Sequence, residues 1–252
     1  MMPEKQKIID LFLANVYGKK ADVSIFNTQH DGKKGHWLEQ MMGVKANADN
    51  APDLLGYEMK NDTTSKTTFG DWSADSYIFS RGNQYNLTRS EFLKIFGKPN
   101  IKKGGRASWS GEPVPKIGGF NGFGQILEID GLGNISASYY FSKDTRVNKS
   151  SIVPKQLQIE RLTLAYWEST SIKSKLENKF NKNGWFKCIA DNDGKYIKIV
   201  FGEPICFETW IRLVKTGDVF FDSAMYEGNK RLYSQWRATN RFWNSLVVDE
   251  FP

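Results

Sequence analysis

The sequence predicts an α/β or α+β protein with a mixed sheet flanked by helices. Helical and strand patterns alternate along it without a regular βαβ rhythm, and two apolar strand pairs are joined by short glycine-containing turns. Composition agrees: of 252 residues, 40% are hydrophobic and 14% aromatic, eight of them Trp, which is enough for a sizeable core. That balance excludes a disordered or low-complexity chain.

Taken in order, Ile8, Ile9, Leu11, Phe12 and Val16 have the spacing of a one-sided helix over 5–17, ending near Gly18. A polar, basic loop runs from His30 to Gly35, and a short helix from His36 to Met42 stops at Gly43. Residues 44–52 read as loop, Gly56–Asp62 as a strand, and Tyr77–Phe79 as a further apolar stretch. Thr88 and Glu91 form a capping box for a helix through Phe96, with Gly97 as its stop. Residues 98–122 are rich in Gly and Pro and carry Lys98, Lys102, Lys103, Arg106 and Lys116 against Glu112, which predicts a long functional loop. Residues 125–130 and 134–142 then read as a hairpin, and Ile172, Leu176 and Phe180 mark a helix. Residues 185–190 and 195–201 form a second hairpin around Asp191–Gly194. That turn is not an EF-hand, because Ile189 and Val200 stand where the first and twelfth loop positions require acids. A helix over 207–214 and a strand over 219–221 follow.

Charge narrows the partners. Lys and Arg total 35 against 28 acids, a net +7, which favours an anionic surface such as nucleic acid or a membrane. No apolar run approaches the roughly 18 residues of a spanning helix. The amphipathic, acid-containing N-terminus resembles neither a secretory signal nor a transit peptide, so the expected location is cytoplasmic. Cys188 and Cys206 lie outside any CxxC pattern and read as two buried thiols. With His30 and His36 the only histidines, a Cys/His zinc site would need nearly every such residue. A catalytic metal is therefore expected to be a hard cation held by carboxylates.

The chemistry concentrates in Asn50–Lys60. On a strand, Glu58 and Lys60 share one face, while Tyr57 and Met59 point into the protein. Asp53 precedes Glu58 by five residues, about 17 Å if extended, whereas two carboxylates sharing one Mg²⁺ each sit about 2.1 Å from it. The chain must bend between them, and Gly56 permits it. Two acids and a lysine suit phosphodiester hydrolysis: Asp53, Glu58 and the Met59 carbonyl hold one or two divalent ions, and Lys60 adds positive charge where the transition state gains negative charge. The competing reading is a surface strand with an i, i+2 ion pair.

Gly35-x-x-x-Glu39-x-x-x-Gly43, then Asn50-x-Pro52-Asp53, then Gly56-x-Glu58-x-Lys60, resembles the PD-(D/E)xK nuclease superfamily. The closer resemblance is to its branch containing the MvaI and BcnI restriction endonucleases and the nicking enzyme MutH. The run over 220–243 resembles the end of the restriction enzymes of that group. The resemblance implies that Asp53 and Glu58 bind Mg²⁺ and that Lys60 acts in catalysis. Glu39 would hydrogen-bond to that lysine or to a water on the metal. It also implies a catalytic lobe facing a recognition lobe across a DNA cleft, assigned to residues 1–202 and 203–252, in a chain acting as a monomer. A base-reading histidine of some members does not carry over, because this C-terminal region has none.

Two segments are candidate DNA contacts. Lys230, Arg231, Tyr233, Gln235, Arg237 and Asn240 mix cations with residue types that read base edges, Arg for guanine and Asn or Gln for adenine. In the 98–119 loop, Lys102, Lys103 and Arg106 would contact phosphates and Trp109 would wedge or pack against sugar. The sequence thus points to a Mg²⁺-dependent type II restriction endonuclease acting on double-stranded DNA. A MutH-like nicking enzyme and a non-catalytic DNA-binding protein remain as alternatives.

Overall fold

A computed structural model describes residues 2–24, 32–44, 50–61, 63 and 65–252. His30, parts of the loops expected at 30–35 and 44–52, and Asp62 lie outside them. The chain opens with α1 (Pro3–Asn15), which places proline where the first turn needs no donor and buries Ile8, Ile9 and Phe12. Helix α2 (Lys33–Met41) begins three residues before the expected His36 and buries Trp37 and Leu38. After β1 (Glu58–Lys60), β2 (Lys66–Asp71) and β3 (Ser76–Tyr77) comes α3 (Arg89–Phe96), closed by the expected capping box. Its Glu91 N–H donates to Thr88 Oγ1 at 3.2 Å, and Thr88 N–H donates to Glu91 Oε2 at 2.8 Å.

The expected long loop is partly a hairpin, in which β4 (Lys98–Asn100) pairs with β5 (Arg106–Trp109) across a 3₁₀ turn at Ile101–Lys103. The remaining elements are β6 (Phe123–Ile129), β7 (Ile135–Asp144), α4 (Lys149–Ile152), β8 (Leu162–Trp167), α5 (Ser169–Phe180), β9 (Trp185–Ala190), β10 (Tyr196–Gly202), α6 (Phe207–Thr216), β11 (Val219–Ser223), β12 (Met225–Tyr226), β13 (Ser234–Thr239), α7 (Asn240–Ser245) and β14 (Val247–Phe251). Both sequence-predicted hairpins are present, as β6–β7 and β9–β10. Asp191 closes the second by accepting from the N–H groups of Asp193 and Lys195, each at 2.9 Å. Among the described residues no helix is long and apolar enough to cross a membrane. Cys188 is buried as expected, but Cys206 is only half-buried.

The chain forms two compact units, each discontinuous. One comprises Met1–Thr67, Lys175–Cys206 and Thr239–Pro252; the other comprises Thr68–Ser174 and Phe207–Ala238. These boundaries do not coincide with a contiguous division at 202/203. In the first unit the sheet order is β1-β9-β10-β14, with β1–β9 parallel and the other pairs antiparallel. One face buries Met59, Phe186, Cys188, Ile199 and Phe201 against α1 and α2. On the other, Trp185 meets Trp243 of α7 edge-on with ring centroids 5.0 Å apart. This is a mixed sheet flanked by helices.

The second unit carries the sheet β3-β8-β7-β6 and an indole-rich core, where Trp236 contacts Trp167 at 5.5 Å and Trp210 at 5.2 Å between centroids. Trp109 belongs to this core. It is fully buried, and its Nε1–H donates to Gln125 Oε1 at 2.8 Å, so it does not wedge or pack against DNA. A fully buried Asp144 carboxylate accepts from Arg146 at 2.7 Å and from the Tyr139 hydroxyl at 3.0 Å, while Arg146 also donates to the Ile95 carbonyl at 2.8 Å.

Candidate active site

Asp53 and Glu58 are brought together by a tight reversal. Leu54 N–H donates to Tyr57 O at 3.0 Å and Tyr57 N–H to Leu54 O at 2.8 Å. Leu55 and Gly56 between them have φ of 49° and 83°, the two positive values that a type I′ turn requires. The reversal carries the Asp53 carboxylate back along β1, where Oδ2 accepts from Met59 N–H at 3.0 Å. β1 is an edge strand, and its Glu58 N–H donates the other way, to Gly184 O at 3.0 Å. A strand residue's own N–H and C=O point to the same side. The Met59 carbonyl therefore lies on the free edge beside Asp53.

Glu58 and Lys60 are both buried, so the i, i+2 pair is not a solvated surface bridge. Lys60 Nζ lies 2.8 Å from Glu58 Oε1, and Lys179 Nζ from α5 lies 3.1 Å from the same oxygen. Burial holds the Glu58 carboxyl above the usual carboxylate range, against the opposing pull of the two lysines. Burial also pushes the Lys60 ammonium down against the opposing pull of Glu58. Lys60 lies 5.0 Å from the ring centre of Phe180. The second carboxylate oxygen, Glu58 Oε2, is buried without a hydrogen-bond partner among the described residues. A buried orphan carboxylate oxygen is costly, and a hard cation satisfies it. Together with the Asp53 carboxylate and the Met59 carbonyl it makes an all-oxygen donor set of the kind Mg²⁺ takes.

Glu39 projects from α2 and accepts from Asn61 Nδ2 at 3.4 Å, one residue beyond Lys60. His36, with an exposed side chain, lies 3.4 Å from Glu39. Lys179 reaches the candidate site through its ion pair with Glu58, and no motif in the sequence points to it. It lies far along the chain from Lys60, and its only sequence signal was a place next to Phe180 on an amphipathic helix.

The candidate DNA-contacting residues fall into three groups. Lys102 and Lys103 are exposed on the β4–β5 turn, and Arg106 stacks on Tyr226 with its guanidinium carbon 3.6 Å from the ring centre. Gln235 and Arg237 alternate with buried Ser234, Trp236 and Ala238 on β13. Arg237 donates to Asp222 of β11 at 2.9 Å, and Arg231, largely exposed like Lys230, lies 5.6 Å from the Tyr233 ring centre. Asn240 is different. Its Oδ1 accepts from Thr67 Oγ1 at 2.9 Å and its Nδ2 donates to the Thr63 carbonyl, so its amide ties α7 to the residues after β1.

The LlaMI restriction endonuclease family matches residues 16–251 of this chain. The chain belongs to that family. It is 50% identical, over 99% of each sequence, to the type II restriction enzyme ScrFI of Lactococcus lactis subsp. cremoris. Its fold is similar to that of the restriction endonuclease MvaI in complex with cognate DNA, at 14% identity, a TM-score of 0.62 and coverage of 100% of this chain and 98% of MvaI. The reaction of this family member is site-specific cleavage of DNA, and the nuclease fold expected from the sequence is the one observed. Phosphodiester cleavage builds negative charge on the phosphate. Lys60, buried on β1, and Lys179, partly buried on α5, both lie against the Glu58 carboxylate near the candidate site.

Proposed function

We propose that the chain is a Mg²⁺-dependent type II restriction endonuclease that hydrolyses both strands of double-stranded DNA at a short specific sequence. The observation carrying this reading is the juxtaposition of the Asp53 carboxylate, folded onto Met59, with the unpartnered Oε2 of buried Glu58. Asp53, Glu58 and the Met59 carbonyl would hold one or two Mg²⁺ ions, which supply polarisation of the scissile phosphate and activation of water. Lys60 orients the attacking water and offsets the charge that develops on the phosphate. Glu58 Oε1 holds both ammonium groups in place, and Glu39 anchors Asn61 just past Lys60. Plasmid incubated with and without Mg²⁺ tests the reading. Discrete double-strand fragments support it, accumulated nicked circles indicate a nicking enzyme, and binding without cleavage indicates a non-catalytic protein.

Lys179→Ala is expected to slow cleavage by about 10–10²-fold in single-turnover assays, because one of two fixed charges beside the phosphate is lost. Lys179→Arg should recover part of that rate. An unchanged rate in the alanine variant would reduce Lys179 to a structural partner of Glu58.

The strand pair β11–β13 is the proposed base-reading surface, with Arg237, Gln235 and Arg231 reading bases. Lys230, Tyr233, Lys102, Lys103 and Arg106 contact phosphate and sugar. Asp222 pre-orients the Arg237 guanidinium, which favours a bidentate contact to guanine. Arg237→Ala should cost about 1–3 kcal/mol of discrimination between target and near-cognate sites. A uniform loss of affinity for all DNA with a shallower salt slope would make it a phosphate contact. The protein is proposed to act in the cytoplasm as a monomer. Two chains per duplex in light scattering of the complex would overturn that.

A further inference from the structure

We infer that Asn183 is a positioning residue for the metal site, clamping the turn that sets the separation of the Asp53 and Glu58 carboxylates. The inference rests on the reading of those two residues as metal ligands. Three hydrogen bonds converge from two adjacent residues in the α5–β9 connection. Asn183 Nδ2 donates to the Leu55 carbonyl at 3.0 Å, and Asn183 N–H donates to the Gly56 carbonyl at 3.2 Å. Gly184 O accepts from Glu58 N–H at 3.0 Å. The first two fix the central residues of the reversal, and the third fixes the strand residue bearing the second carboxylate.

The turn needs such a clamp. Leu55 occupies the left-handed region, which strains a residue with a side chain, and the residue is 40% exposed, so burial does not hold it there. Packing from the connection is close on both sides. A Cβ on Gly56 would lie 2.7 Å from Asn183 Nδ2, and a Cβ on Gly184, at φ 94°, would lie 2.2 Å from the Gly202 carbonyl oxygen. Asn183 is thus seated against the turn backbone by two glycines, with its amide donor aimed at a carbonyl of the strained residue. Releasing it frees Asp53 to move relative to β1 without touching Asp53, Glu58 or Lys60.

Mn²⁺ binding to the DNA-free protein, followed by loss of the free-ion electron paramagnetic resonance signal, tests this alongside single-turnover cleavage. Asn183→Ala and the isosteric Asn183→Asp, which both lack the donor, should each weaken Mn²⁺ binding by about 10-fold and slow cleavage. Raised Mg²⁺ should restore part of that rate, with DNA affinity measured without metal unchanged. Native metal affinity in Asn183→Asp would overturn the inference, as would a rate loss that excess metal does not relieve. If Asn183→Ala fails to fold, Asn183→Asp decides. Asp53→Ala in the same titration separates the two claims. Metal binding lost in Asp53→Ala but intact in both Asn183 variants defeats the positioning role alone, whereas binding intact in Asp53→Ala defeats the ligand assignment itself.

Discussion

Asp53→Ala, Glu58→Ala and Lys60→Ala are each expected to reduce cleavage by about 10³-fold or more while leaving specific DNA binding largely intact. On the proposed assignment, each substitution removes a group that acts on the reacting phosphate. Affinity comes instead from phosphate and base contacts elsewhere on the protein. Glu58→Ala has a second consequence, because it strips Lys60 and Lys179 of the carboxylate oxygen they share and leaves two ammonium groups facing each other. Its thermal stability should therefore change more than that of Asp53→Ala. Single-turnover cleavage and gel-shift affinity in Ca²⁺ check both halves. Near-native turnover in Lys60→Ala would displace the site.

Asp144→Ala is expected to destabilise the second unit by about 3–5 kcal/mol, because it leaves the Arg146 guanidinium, with only 15% of its side chain exposed, without its carboxylate. Burial alone would raise the Asp144 carboxyl. The hydrogen bonds and charge of Arg146, with the Tyr139 hydroxyl, more than reverse that and hold it below the usual carboxylate range. A depressed folded value means that Asp144 contributes stability at neutral pH, and that this contribution is lost as pH falls through the folded value. The gap in melting temperature between the native protein and Asp144→Asn should accordingly narrow on acidification below about pH 4. A gap that stays constant would mean the pair contributes through packing alone.

Local signals predicted much of the secondary structure. The capping box of α3, the two hairpins and the one-sided helices α1, α5 and α6 depend on spacing within about ten residues, where propensity and periodicity act. The segment 98–109 reads as loop because glycine, proline and interleaved charge suggest one, whereas its strands are set by pairing with each other and with β12. Trp109 and Asn240 show the same limit for side chains. A tryptophan among lysines and an asparagine among arginines look DNA-facing until Gln125 and the Thr63–Thr67 segment are seen to occupy them.

What the sequence determined by itself was the motif proposed to carry the chemistry. Two carboxylates, a lysine and a bend at Gly56 lie within eight residues, so their proximity follows from chain connectivity and from the one residue that turns without strain. The surroundings of that motif were decided only by tertiary structure. The parallel pairing of β1 with β9 carries Lys179, Asn183 and Gly184 from far along the chain to Glu58 and its turn. The α7 amide of Asn240 is carried likewise to the Thr63–Thr67 segment after β1. Parallel strands need a long crossover, and a contact made across one leaves no periodicity or spacing in the intervening residues by which to read it.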